Sequence, residues 1–537
     1  MDAGVLERVD ARFHACAMTD APLQDPSSQP RLRWLPSLSQ FIWIMLFLGI
    51  LLTDWRQSLI STDGDPCWHW RLGDWMIEHH AIIRNDPFSH TQPGAPMITK
   101  EWLSEVVFAV AGNALGWNGI VLIAAVLIAT TLGLLHWQLV AEGNDILVSA
   151  LLVLLAAMAC LVHWVARPHL YTLVCVVIFA WQLRWFDRDL LTARQLFLRL
   201  VPLTALWANL HGGFLSGFVL IGIYLLGNTV RIIMDEAPAR VALRRKLITL
   251  GTLAFACALA TLLNPNAWKL HQHLLTFLRT PYQAHFTSEW NSANFHFGGM
   301  RGFELQLLLL GFLLIVVRRP LAITDVLLLA FWLWSALYAM RNVPIFALIV
   351  TPIFAEHLSA AFREAHKTTW GRWFGGISKD VGAMNRAAGG RGLVVAFVIV
   401  MVAVLAKPVI AGGRPVLETQ ILSSRFPSAT VSYLRAHPEA VHGEMFNEDS
   451  WGGYFLLYWP ERKVFIDGRD DFYNEAFLHE FVEVSQLRPS WESVVTKYHV
   501  GWTILPVQHP LNRILELSPQ WTLVYSNQLT LIFTRVP

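Results

Sequence analysis

Long apolar runs separated by short polar connections make up most of the chain, and several reach the ~20 residues that span a hydrocarbon core. The first runs from about Leu38 to Thr53. After a long polar stretch come two more apolar pieces. Leu103–Leu115 is too short to cross comfortably, whereas Ile120–Trp137 is long enough. The shorter piece is expected to lie at the membrane surface and the longer one to cross. Further spans are expected near 146–164, 169–186, 197–210, 214–232, 247–263, 302–317, 322–339, 342–360 and 392–411, about eleven in all. Beyond Gly412 the pattern changes. Short β-type runs (Lys463–Ile466, Trp502–Leu505, Trp521–Tyr525, Leu529–Phe533) alternate with helix-like stretches around Ser428–Ala436, Ala476–Gln486 and Ser490–Tyr498. The expected fold is an all-α polytopic membrane domain carrying a small C-terminal α/β domain on its outer face. Its expected divisions are a tail over 1–35, a membrane domain over 36–411 with a first outer loop over 55–118, and an outer domain over 412–537.

Composition supports the membrane class. Of 537 residues, 54% are hydrophobic and 15% charged, against about 25% charged in soluble domains. The net charge of +2 matters less than where the charges fall. With the N-terminus inside, the inner connections hold Arg188 and Arg194, then Arg231, Arg240, Arg244, Arg245 and Lys246, then Arg318 and Arg319, and last Arg363 to Arg391. Counting Leu103–Leu115 as a span would put most of these on the wrong side. The odd count therefore predicts a cytoplasmic tail and an outer C-terminal domain, in a bacterial inner membrane if the resemblance described below holds. The tail lacks the pattern of a cleavable signal. Five scattered cysteines without a CxxC support neither a disulfide framework nor a zinc site. No phosphate-binding glycine motif is present, and no nucleic-acid partner is expected.

The stretch from Ser61 to Glu105 stands out against this background. It is rich in Trp and His and carries Asp63, Asp65, Asp74, Glu78, Asp86, Glu101 and Glu105. A polar segment this long in so apolar a chain is more than a connector. Other polar groups fall where the outer helix ends are expected: Arg167-Pro168-His169, Trp207 to Gly213 with Asn209 and His211, Asn264 to Asn266, Glu289-Trp290-Asn291, and Arg341-Asn342. Ionisable groups near membrane depth are costly and mark function or a cavity. Their convergence on one face is the signal.

The run from Asp65 to Glu105 resembles the first outer loop of the GT-C superfamily of membrane glycosyltransferases, in particular the protein O-mannosyltransferase and lipid A aminoarabinose transferase branch. An acidic pair ends the first helix (Asp63, Asp65). A G-x-W segment follows (Gly73-Asp74-Trp75), then a turn bearing Lys and an acid (Lys100-Glu101-Trp102), then the surface-lying piece Leu103–Leu115. The chain departs from the branch in lacking Lys-Pro-Pro after Glu101, in having His69 and Arg71 in the loop, and in carrying His211-Gly212-Gly213 in place of a Lys-Gly turn. The resemblance implies transfer of a sugar, with inversion, from a polyprenyl-phosphate-linked donor to a lipid, glycan or protein acceptor at the outer face.

That chemistry gives the residues roles. An oxocarbenium-like transition state needs a carboxylate to take the acceptor's proton. Asp65 is the expected base and Asp63 its rival, with Glu101 as a second acid. The leaving phosphate wants cationic donors, for which Arg167, His169, His211 and Arg341 are candidates. His69, Arg71, His90, Lys100, Trp102 and Glu289 complete the expected substrate site, with Asp467, Arg469 and Asp471 of the outer domain as acceptor contacts. No obligatory metal or cofactor is expected, because dedicated all-carboxylate ligand spacing is absent; a divalent ion is compatible.

Each residue has a plainer reading beside this one. Asp63 and Asp65 suit a helix cap. The tryptophans suit interfacial anchors, His69 and His90 suit solvated loop positions, and Arg167 and Arg341 suit headgroup contacts. In the outer domain, Asn447 to Tyr454 and Asp467 to Tyr473 place acids beside Gly and aromatics, and the glycines read as turns. Two other function classes stay open. A transporter or flippase of lipid-linked sugars would show internal repeats, and none is seen. A non-catalytic assembly factor would not need Asp65.

Overall fold

The computed structural model describes residues 34–234, 237–280, 282, 286–316, 320–365, 367–395, 397–398 and 419–536. Almost all of the expected tail, Arg318 and Arg319, and most of the expected span 392–411 lie outside the described residues.

The membrane domain is helical throughout. It begins with α1 (Leu38–Leu52), α2 (Trp55–Ser61) and α3 (Asp65–His79), and continues with α4 (Trp102–Leu115), α5 (Trp117–Ala141), α6 (Ile146–Cys160) and α7 (His169–Asp187). Then follow α8 (Ala193–Leu210), α9 (Leu215–Met234), α10 (Ala237–Thr261), α11 (Trp268–Arg279), α12 (Arg301–Val316), α13 (Ile323–Tyr338), α14 (Val343–Ala365) and α15 (Thr369–Ala387). Ser37 and Gln40 form a capping box at the start of α1, and Asp145 caps α6 through the amides of Leu147 and Val148. The protein is a multi-pass membrane protein. Among the described residues six helices are long and apolar enough to cross, or seven if α1 and α2, bent by 70°, make one span. The other expected spans that lie in described residues are helical too. However, α13 has only 16 residues, and α8 carries Arg194 and Arg199 within its first turns.

The piece expected at the membrane surface is α4, which packs tightly on α3. A Cβ on Gly73 would stand 2.0 Å from the Glu105 carbonyl oxygen, and one on Gly112 would strike the Trp70 ring at 2.4 Å. These glycines let the two backbones approach. The polar stretch Ser61–Glu105 is thus a helical hairpin whose connecting segment, 80–101, runs along the outer domain.

The C-terminal domain, termed the outer domain after its expected placement, contains α16 (Ser428–Ala436), β1 (Glu444–Asn447), α17 (Asp449–Tyr458), α18 (Glu475–Ser485), α19 (Trp491–Lys497), β2 (Val500–Pro506), α20 (Pro510–Leu517), β3 (Trp521–Ser526) and β4 (Thr530–Arg535). The sheet order is β1-β2-β4-β3. β1 is parallel to β2, and the other two pairings are antiparallel. Three of the expected β-type runs lie in this sheet. The fourth, Lys463–Ile466, does not: Val464 pairs instead with Ser89 of the first loop. The Val464 amide donates to the Phe88 carbonyl at 3.1 Å, and the His90 amide to the Val464 carbonyl at 3.0 Å. Only Val464 of this run forms a bridge, and its partner is far away in sequence.

The glycines of Gly452-Gly453 are not turn residues. Both lie in α17, where Cβ atoms would meet the Ile466 carbonyl oxygen at 2.2 Å and the Gly64 carbonyl oxygen at 2.3 Å. They are small so that α17 can seat directly on the start of α3.

Candidate active site

A polar cavity of about 520 Å³ lies between one set of helix ends and the C-terminal domain. Its wall holds Asp63, Asp65, His69, Lys100, Glu101, Arg167, His169, His211, Glu289 and Arg341, all singled out in the sequence. It also holds Asp471, likewise singled out in the sequence, together with His163, Asp449 and Asp470.

Arg167 organises one side. Its guanidinium pairs with Asp63, with Asp65 at 3.1 Å and with Glu289 at 2.7 Å. Arg167 reaches this point because Arg167-Pro168 forms the tight connection before α7, with the Ala166 amide bonded to the Leu59 carbonyl at 2.8 Å. One cation therefore answers three carboxylates. Burial, reinforced by Asp63 and Asp470, pushes the Asp65 carboxyl well above its ordinary range, and Arg167 opposes this. Burial also pushes on Glu289, but His163, Arg167 and Arg341 outweigh it and hold that carboxyl at about 2. Asp65 is the first residue of α3, Gly64 is its N-cap, and the Asp65 amide donates to the Asp63 carboxylate at 3.1 Å.

The opposite side carries two further cations. Lys100 is tied to Asp471 at 2.7 Å, and His273 also bonds Asp471, at 2.8 Å. Burial raises the Asp471 carboxyl, yet Lys100 and His273 hold it well below the usual range. Arg341 lies over the Trp290 ring at 4.4 Å and makes no ion pair among the described residues. It is the uncommitted guanidinium of the cavity. Asp470, also in the wall, accepts from Thr287 at 2.6 Å, and burial pushes its carboxyl up to about 6. Glu101 contacts His211 at 3.5 Å and is pushed by burial to about 7.

Five of the expected site residues lie elsewhere. Arg71 is two positions beyond His69, so it points to a different face of α3 and pairs with Glu78 at 3.2 Å. His90 sits in the seam with the outer domain, its Nε2 bonded to the Met445 carbonyl at 2.9 Å. Trp102 donates to Asn209 at 2.7 Å and ties α4 to α8. Asp467 and Arg469 are buried partners at 2.6 Å, and Arg469 also pairs with Asp86 at 2.8 Å. Phe88 and Phe472 flank its guanidinium. This buried cluster bolts the outer domain to the first loop. Within the same motif, Asp470 and Asp471 are the acids that reach the cavity.

No family model matches the chain, and no curated protein matches it. Solved structures do. The crystal structure of the Archaeoglobus fulgidus oligosaccharyltransferase in the apo form matches with a TM-score of 0.51 at 12% identity, covering 88% of this chain and 69% of that one. The oligosaccharyltransferase AglB of the same organism, in complex with an inhibitory peptide and a dolichol-phosphate, matches at 0.50 and 11% over the same shares. ArnT from Cupriavidus metallidurans in the apo state matches at 0.49 and 12%, covering 92% of this chain and 98% of that one. At these identities the likeness concerns the fold. The fold is GT-C-like.

Proposed function

We propose that the protein is a membrane glycosyltransferase that moves a sugar from a polyprenyl-phosphate-linked donor to an envelope acceptor at the outer face of a bacterial inner membrane. A GT-C-like fold alone does not carry an activity. The observation that carries the reading is the pairing, across one cavity, of Asp65 with an uncommitted cation, Arg341. A carboxylate whose pKa burial raises above its ordinary range suits a general base. A guanidinium without an anionic partner suits a phosphate.

In this reading Asp65 takes the proton of the acceptor nucleophile as its bond to the anomeric carbon forms. The bond from that carbon to the phosphate oxygen breaks on the opposite side, so the configuration inverts. The released polyprenyl phosphate is held by Arg341, with Lys100 and His211 nearby. Arg167 keeps Asp65 oriented and supplies positive charge among Asp63, Asp65 and Glu289, so the transfer runs without an obligatory metal. The donor class fits a fold shared with an enzyme solved with a dolichol-phosphate. The inner-to-outer order of the spans and the division near residue 411 belong to the same proposal.

The test uses the full chain in lipid nanodiscs with a panel of polyprenyl-phosphate sugars, following donor consumption by mass spectrometry. Consumption of one donor, abolished by Asp65→Asn, is expected. Tight donor binding without turnover would move the reading to a carrier of lipid-linked sugars. Turnover that survives both Asp65→Asn and Asp63→Asn would keep the class and move the base to Glu101.

A further inference from the structure

At the cavity wall, three side chains of the α3–α4 hairpin face one another at distances too long for hydrogen bonds. His69 Nδ1 is 3.7 Å from Glu105 Oε1, and His69 Nε2 is 3.9 Å from Glu101 Oε2. One ligand atom from each residue falls within a common 4.8 Å. His69 and Glu105 are each only 2% exposed. His69 Nδ1 and Glu105 Oε2 have no hydrogen-bond partner among the described residues. Burying such atoms without partners is unfavourable.

The neighbouring cations do not answer these carboxylates. Lys100 pairs with Asp471, Arg469 with Asp467 and Asp86, and Arg167 with Asp63, Asp65 and Glu289. Glu101 and Glu105 make their ion contacts, among the described residues, only with His69 and His211. Local structure holds the group together. Glu101 and Glu105 are four positions apart at the start of α4 and share a face. Gly73, one turn beyond His69, brings the Glu105 backbone against α3.

We propose that His69, Glu101 and Glu105 form a binding site for one divalent transition-metal ion that clasps α3 to α4. One imidazole nitrogen and two carboxylates suit Zn²⁺ or Mn²⁺, and the two negative charges match the ion. Ligand atoms around an ion at ~2.1 Å stand ~3.0–3.4 Å apart, so side-chain shifts below an ångström close the site. The ion holds α3, whose first residue is Asp65, one turn before His69. Its ligands His69 and Glu101 also line the transfer cavity, but the ion takes no part in the proposed transfer step, and the proposal does not depend on that reading.

The experiment strips full-length protein in nanodiscs with a chelator and reloads it with Zn²⁺ or Mn²⁺. Retained metal is counted by mass spectrometry after gel filtration. About one equivalent is expected in the wild type, with at least a tenfold loss in His69→Ala and in Glu105→Gln. Because a variant can fail to fold, the Mn²⁺-loaded wild type is also examined by pulsed electron paramagnetic resonance with ¹⁵N-histidine labelling, where coupling to an imidazole nitrogen is expected. Retention of neither ion, retention undiminished in correctly folded variants, or a manganese signal without imidazole coupling would each overturn the proposal.

Discussion

Lys100 Nζ and Asp471 Oδ2 meet at 2.7 Å, and this contact joins the end of the first loop to the outer domain at the cavity wall. The partners are far apart in sequence, and each side chain is mostly shielded from water. Asp471→Ala leaves Lys100 poorly compensated and is expected to cost ~3 kcal/mol. Thermal unfolding in nanodiscs, with proteolytic release of the outer domain as a second readout, measures it. The pH dependence has a definite sign. Asp471 is held below its unfolded value, so its contribution is full above the ordinary carboxylate range and disappears only as pH falls through the folded value. The domain is therefore expected to stay seated from pH 8 down to about 4.

Asp470 titrates in the opposite sense. Its folded carboxyl is raised to about 6, so the folded state holds a proton that the unfolded chain has released. Between about pH 4 and 6 that group makes stability fall as pH rises. Asp470→Asn is expected to raise the melting temperature at pH 7.5 and to leave it unchanged at pH 4. An equal effect at both values would refute the argument.

Arg341→Ala removes the uncommitted guanidinium while keeping Trp290 in place. Loss of a charge-assisted contact worth ~1.5–3 kcal/mol predicts a ten- to hundredfold rise in KM for the phosphate-linked donor. Arg341→Lys, which keeps the charge but loses the planar fork, is expected to fall between the two. A change in kcat alone would argue against phosphate binding.

Gly468→Ala tests how closely the outer domain approaches the proposed base. A Cβ there would stand 2.2 Å from Asp65 Oδ1. Either Asp65 or the loop must move, so turnover is expected to fall at least a hundredfold, since a misplaced group costs about that much. Hydrogen exchange of the sheet β1–β4 should be unaltered, and a global loss of protection would point to unfolding instead.

Much of the helical scaffold is legible in the sequence because apolar run length is a local property. The polar groups at helix ends are legible for the same reason. Arg167, Glu289 and Arg341 stand out as charges beside long apolar runs, and the structure brings all three to one cavity. His163 was not readable, because it closes an apolar helix and looks like part of it. Asp449 and Asp470 were not readable as cavity residues, because their place depends on α17 seating against Gly64, a contact made across almost the whole chain. Arg71 and His69 are two positions apart, and only the pitch of α3 separates the residue at the cavity from the residue outside it. Lys463–Ile466 was misread because strand-forming composition does not say which backbone will be the partner.

The cavity wall is assembled from both ends of the chain, with Asp63 and Asp65 near its start and Asp470 and Asp471 near its finish. During synthesis the early acids emerge long before the late ones exist. A nascent chain thus holds an open half-site until the ribosome has passed Asp471 and α17 has docked. A chain that stops short of Asp470 and Asp471 therefore has an incomplete cavity wall, however well its helices have formed.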